Sequence, residues 1–185
     1  MLATDHKMNN HVMIDLETLS TDSHAVIVTI GAMKFDPYNI IPPTDIFYRR
    51  VQLVNSGYHL NMETLMWWMQ QKDEARNEAF NMNVRLSIKQ SLADLAYWLP
   101  VNPYIWAHGK DFDVPILNHA FDYEGLPLPW KFWDTRDTRT VYDMAKINVK
   151  DFAIPEGFSE HHAIGDCYRQ VAAVQRGYQI LGIKQ

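Results

Sequence analysis

The sequence predicts a mixed α/β fold: a central sheet that opens with antiparallel strands, continues with parallel ones, and is flanked by helices. Three observations carry this. The first third holds three β-rich runs with no helical segment between them, which reads as a hairpin-linked meander. Capped, periodic segments begin only afterwards and alternate with short apolar runs. The C-terminal segment repeats its apolar residues at helical spacing.

The elements follow in order. His11 to Glu17 is short and largely apolar, and Ala25 to Phe35 is rich in Val, Ile and Thr, so both read as strands. Phe47 to Leu53, after the Pro42-Pro43 turn, is the third. Asn61 can cap a helix over Met62 to Gln71. Ser87-Ile88-Lys89-Gln90 is a capping box for a helix with the stripe Leu92, Leu95, Ala96 and Leu99, stopped by Pro100. Tyr104 to Ala107 reads as a buried strand, followed by a helix from about Val114 to Tyr123 that ends at Gly125. Phe132 to Thr135 reads as a further strand. Ile164, Cys167, Tyr168, Val171, Val174, Tyr178 and Leu181 then form one face of a long amphipathic helix.

A chain of 185 residues is long enough for one well-buried domain and short for two, so residues 1–185 are expected to form a single unit. The 47% hydrophobic and 21% charged residues are ordinary globular usage. The lone Cys167 excludes an intramolecular disulfide and a cysteine-cluster zinc site, which fits a reducing compartment. No apolar run approaches bilayer length and Met1 to Asn10 lacks a signal-peptide core, so a cytoplasmic location without membrane attachment is expected. A formal net charge of −5 argues against coating long stretches of nucleic acid, but not against gripping one chain end through metal ions.

The chemistry concentrates in acidic residues at three places. Alternation along a strand projects Asp15 and Glu17 to the same side, while Val12, Ile14 and Leu16 point into the core. Two carboxylates that close repel unless a cation sits between them. Taken alone, the pair reads first as a strand end with two solvated acids and proves little. Asp113 follows the strand and glycine turn of Trp106 to Gly109, where it also reads as a helix N-cap ahead of Pro115. Asp166 lies early on the last helix, off its apolar stripe, with His161 and His162 just before it. A first-turn Asp also complements the helix dipole, and vicinal histidines are often solvated.

Taken in order, these residues resemble the DEDDh family of 3′→5′ exonucleases within the ribonuclease H-like superfamily. Ile14-Asp15-Leu16-Glu17-Thr18 is similar to its first motif, His108 with Phe112-Asp113 and Pro115-Ile116-Leu117 to its second, and His161-His162-Ala163-Ile164-Gly165-Asp166 to its third. The opening from Met13 to Pro37, Trp67-Trp68 and Arg136 to Thr140 look closest to phage and prophage exonucleases. Gly109 stands where the family often has asparagine.

The resemblance implies a ribonuclease H-like sheet. It makes Asp15, Glu17, Asp113 and Asp166 the metal-binding carboxylates, with His161 the general base, and Thr18, Leu19 and His108 contacts to substrate. Asp111 competes with Asp113, but the Phe-Asp pair and the following Pro-Ile-Leu fit Asp113; spacing to Asp166 selects His161 over His162. Oxygen-only ligands imply Mg²⁺ or Mn²⁺, two ions about 4 Å apart serving both ends of an in-line displacement. Histidine suits proton removal because its ordinary pKa lies near neutrality. Partners implied are single-stranded DNA or RNA 3′ ends, and the resemblance admits a homodimer. Two other classes share these residues: an inactive nucleic-acid-binding or scaffold protein of the same fold, and a small-nucleotide phosphohydrolase. Trp98 and Trp106 read as core, whereas adjacent Trp67 and Trp68 on one helix cannot both face the core squarely.

Overall fold

In the computed structural model, which describes residues 10–43, 45–53 and 57–185, a five-stranded sheet has the order β3-β2-β1-β4-β5. The strands are β1 (His11–Thr18), β2 (Ile27–Lys34), β3 (Asp45–Arg50), β4 (Tyr104–Ala107) and β5 (Thr135–Asp137). β1 pairs antiparallel with β2, and β2 with β3; β1 pairs parallel with β4, and β4 with β5. The expected mixed sheet, antiparallel first and parallel later, is the one observed. The N-terminal residues 1–9, read above as lacking a signal core, lie outside the described residues.

The helices are α1 (Met62–Met69), α2 (Asp73–Phe80), α3 (Ile88–Trp98), α4 (Lys110–Tyr123), α5 (Thr138–Ala145) and α6 (Ala163–Leu181). They cover both faces of the sheet, which is why the central strand β1 reads as a near-continuous apolar run. Val12, Ile14 and Leu16 enter one core with Leu92, Leu95, Ile116 and Leu117 from α3 and α4. Met13 enters the other, with Trp106, Val141, Cys167, Val171 and Val174 from β4, α5 and α6. Burying each such aliphatic side chain contributes roughly 1.5–3 kcal/mol. No helix among the described residues is long and apolar enough to cross a membrane.

Several boundaries differ from expectation for identifiable reasons. Asn61 caps α1 as expected, accepting the N–H groups of Glu63 and Thr64. The capping box at α3 is half formed: Ser87 accepts from Gln90 N–H, but the Gln90 side chain donates to Asp94. α4 begins at Lys110, one turn earlier than Val114, because Gly109 adopts φ +88° and frees the chain to turn directly into the helix. Asp113 is therefore inside the first turn and is not an N-cap. Phe132 to Asp134 forms a 3-10 turn and the strand follows it. α2 and α5 were not expected. α2 is largely polar with no side-chain cap, and α5 starts from Asp137, which accepts the Arg139 N–H, in a stretch whose charges masked its apolar residues.

Candidate active site

The site forms where β1, α4 and α6 converge. Asp15 sits opposite Gly31 of β2, and a Cβ on Gly31 would lie only 2.7 Å from the Ala163 Cβ. The missing side chain lets the start of α6 press against the sheet, which carries Asp166 to β1. The register shifts between Glu17 and Thr18, an irregularity that ends regular pairing at the second carboxylate of the first motif. Ligand oxygens of Asp15, Glu17 and Asp166 lie within 4.8 Å of one another. Asp113, from α4, stands outside that 4.8 Å group but next to it: it is 3% exposed, and its Oδ1 accepts the backbone N–H of Leu16, between the two β1 carboxylates, at 3.1 Å. Asp111 stays at the surface, paired with Lys110 at 2.7 Å.

Burial makes this cluster electrostatically expensive. It pushes Asp15 well above the usual carboxylate range, with the charges of Asp113 and Asp166 adding to the effect and the Gln170 hydrogen bond opposing it. Burial likewise raises Glu17 well above its ordinary value, reinforced by Asp15, Asp166 and Asp113. Asp113 rises to about 7 through burial, against the pull of the Leu16 N–H. Asp166 is raised by burial too, while His161 and Arg169 act to lower it. An oxygen-only set of this kind could hold hard divalent cations.

The two adjacent histidines have different surroundings. His161 adopts φ +62°, and its N–H donates to Asp166 Oδ2 at 3.0 Å. Its ring packs edge-on against Trp67, with centroids 4.8 Å apart. His162 caps α6, its Nδ1 accepting the Ile164 N–H at 3.1 Å, while Nε2 lies 3.8 Å from Glu78 and the ring stacks on Tyr48. The Nδ1 of His162 is thus engaged in capping α6, with its ring packed between Tyr48 and Phe158. Burial lowers its pKa, with the Glu78 charge acting against that shift.

A cleft of about 450 Å³ opens beside Glu17, lined by Leu16, Thr18, Thr21, Asn61, Glu63, Thr64, Trp67, Trp68 and Phe112. Trp68 is 1% exposed and donates its indole N–H to the Thr18 carbonyl at 2.9 Å, whereas Trp67 is 40% exposed. Thr18 lines the cleft, although its hydroxyl donates to the Ser20 carbonyl. Leu19 is buried, and its backbone bonds Val26 and Asn61. His108 stands towards α5, with Nδ1 3.0 Å from Thr138 Oγ1. Burial lowers its pKa, helped by the Arg139 charge.

Sequence reasoning did not find Gln170, whose Nε2 donates to Asp15 Oδ1 at 2.8 Å. Its signal was faint: a polar residue on the buried face of an amphipathic helix, 4% exposed. Nor did it find a role for Asp137, which accepts the N–H groups of Gly109 and Lys110 and so anchors the start of α4. At Gly109, a Cβ would meet the Arg139 guanidinium at 2.7 Å, so the family's asparagine would displace that side chain.

The nuclease domain of 3′hExo, a DEDDh family member solved bound to rAMP, superposes with a TM-score of 0.64 at 11% identity, covering 95% of this chain and 94% of that one. S. pombe Pop2p in its Mg²⁺- and Mn²⁺-bound form gives 0.58 at 10% identity, over 92% and 83% of the respective chains. At such identities these likenesses establish the fold. The exodeoxyribonuclease of Enterobacteria phage T4 is 25% identical over 194 residues, spanning 86% of this chain and 85% of that protein. The profile of the 3′-5′ exoribonuclease Rv2179c-like domain matches residues 10–177, and the chain accordingly belongs to that family of 3′→5′ exonucleases.

Proposed function

We propose that this chain shortens single-stranded nucleic acid from its 3′ end, releasing nucleoside 5′-monophosphates, with Asp15, Glu17, Asp113 and Asp166 holding two Mg²⁺ or Mn²⁺ ions and His161 as general base. The observation that carries the reading is the convergence of Asp15, Glu17 and Asp166 oxygens within 4.8 Å in a buried setting. Burial and mutual repulsion push these acids towards neutrality, and divalent cations remove that penalty. The ions bound in S. pombe Pop2p, of the same fold, fit this donor set. When bound, such ions activate the attacking water and stabilise charge on the leaving 3′-oxygen.

The chain's own residues do the rest. Gln170 fixes the orientation of Asp15, the Leu16 N–H fixes Asp113, and the His161 N–H fixes Asp166. The His161 imidazole accepts the proton of the attacking water at a ring nitrogen; His162 is committed to the cap of α6. Trp67 and Phe112 line the cleft with apolar surface on which a terminal base can stack, a contact that tolerates any sequence, while Trp68 is buried. Thr18 contacts that nucleotide directly, Leu19 acts through the loop backbone it holds, and His108 acts from the α5 side. The family's name points to RNA and the phage relative's to DNA, so both polymers are proposed substrates.

The test is a time course on 5′-labelled single-stranded DNA and RNA of one sequence with Mg²⁺, Mn²⁺ or EDTA, for wild type and Asp15→Ala. A metal-dependent ladder shortening from the 3′ end, absent in Asp15→Ala, supports the reading and ranks the substrates. An enzyme inert on both polymers but active on a nucleoside monoester would be a small-nucleotide phosphohydrolase instead.

A further inference from the structure

A second cluster of metal-ligating side chains lies on the turn between β1 and β2. Asp22 and His24 on that turn and His59, ahead of α1, each offer one ligand atom, all within 4.8 Å of one another. Asp22 Oδ2 is 2.9 Å from His59 Nδ1, and the His24 and His59 rings are 5.0 Å apart. Ser20, fully buried, builds the site from beneath: its Oγ is 2.7 Å from His59 Nδ1 and accepts the Asp22 N–H at 3.1 Å. Backbone bonds hold the two ligand-bearing segments in register, with His59 N–H donating to the His24 carbonyl at 2.7 Å and Val26 N–H to the His59 carbonyl at 2.9 Å. A third imidazole adjoins: His119 lies 5.9 Å from His24, and its Nε2 is buried without a hydrogen-bond partner.

We propose that Asp22, His24 and His59 bind one zinc-type transition-metal ion and thereby tie the β1–β2 turn to the lead-in of α1. The donor chemistry separates this site from the carboxylate cluster. Two imidazoles and one carboxylate suit Zn²⁺ and its neighbours, whereas Mg²⁺ takes oxygen ligands. Tetrahedral zinc with ligands near 2.1 Å needs them about 3.4 Å apart, so the Asp22–His59 pair, at 2.9 Å, must open slightly and the other separations, within 4.8 Å, must close, which rotations of the exposed Asp22 and half-buried His24 side chains supply. The charge balance also works, since one carboxylate and two neutral imidazoles leave the bound ion at net +1 with a coordination position for water. The consequence reaches the cleft: Thr21, next to Asp22, and Asn61, two residues after His59, both line it, and Asn61 N–H donates to the Leu19 carbonyl. The ion would stiffen that wall.

The test is calorimetric titration of Zn²⁺ into the Asp15→Ala/Asp166→Ala protein, in which the carboxylate cluster is dismantled, and into the same background carrying His24→Ala or Asp22→Asn. Co²⁺ serves as the spectroscopic probe of imidazole ligation. One Zn²⁺ per chain, lost in both further variants, with a Tm rise of about 5–10 °C at a hundredfold excess over Kd, is the expected result. Unchanged metal-free melting of Asp22→Asn, a substitution at an exposed side chain, shows that the loss is not misfolding. No binding, or binding that survives His24→Ala and Asp22→Asn, overturns the proposal. Either outcome is read independently of whether the carboxylates hold ions or the chain cuts nucleic acid.

Discussion

Gln170 on α6 donates its side-chain N–H to Asp15 on β1 at 2.8 Å, joining residues 155 positions apart at the centre of the site. Such a donor fixes which oxygen of Asp15 faces the other carboxylates and favours its charged form. Gln170→Leu keeps the side chain's bulk and removes the donor. It should weaken Mn²⁺ binding, measured calorimetrically, by about 10–100-fold with little change in secondary structure.

The two candidate aspartates of the second motif differ in surroundings, and their variants should differ accordingly. Asp113→Asn can still accept the Leu16 N–H, so the fold should survive while the charge is lost. Turnover of a labelled oligonucleotide should fall by about a hundredfold or more, because several kcal/mol of charge stabilisation depend on the ions it is proposed to help hold. Asp111→Asn, at an exposed position, should leave turnover at the wild-type level.

The adjacent histidines separate in the same way. His161 has φ +62°, a conformation that asparagine tolerates and that costs alanine about 1–2 kcal/mol, so His161→Asn is the cleaner probe. It should lower kcat by about a hundredfold to ten-thousandfold with an unchanged melting curve. His162→Ala loses the cap on α6 and should instead cost about 1 kcal/mol, or about 2–4 °C in Tm, with most activity kept.

The carboxylate cluster makes metal-free stability fall with rising pH. Asp113 is held at about 7 in the folded chain against an ordinary value of 3.8, and Asp15 and Glu17 are also raised. A raised acid binds more protons folded than unfolded, so its contribution is fully present below about pH 4 and is lost as pH rises through about 7. Metal-free protein should therefore gain less from Mg²⁺ at pH 5 than at pH 8. Melting curves at both pH values with EDTA or Mg²⁺ check this, and an equal Mg²⁺ effect at both would contradict it.

Gly31 should tolerate no side chain. A Cβ there would stand 2.7 Å from the Ala163 Cβ and 2.8 Å from the Ala163 backbone carbon, so relief requires moving the start of α6 and Asp166 with it. Gly31→Ala should lower Tm by several degrees, from about 1–3 kcal/mol of overpacking, and reduce turnover as well.

The sequence by itself determined the strand alternation that puts Asp15 and Glu17 on one side, the caps at Asn61 and Ser87, the mixed sheet, and the motif order that singled out Asp113, His161 and Asp166. The first three rest on local periodicity or short fixed spacings, which a single chain displays without its partners, and the last on the resemblance of its motifs to those of the DEDDh family. Tertiary structure alone decided that Asp113 accepts from Leu16 instead of capping α4, that His162 caps α6, that Gln170 donates to Asp15, and that Gly31 lets α6 bring Asp166 to β1. The Asp22, His24 and His59 cluster likewise forms only when the segment around His59 meets the β1–β2 turn, through an isolated bridge between His59 and Ala25. Each of these depends on residues brought together by packing across the sheet, and no local pattern encodes which distant side chain will arrive.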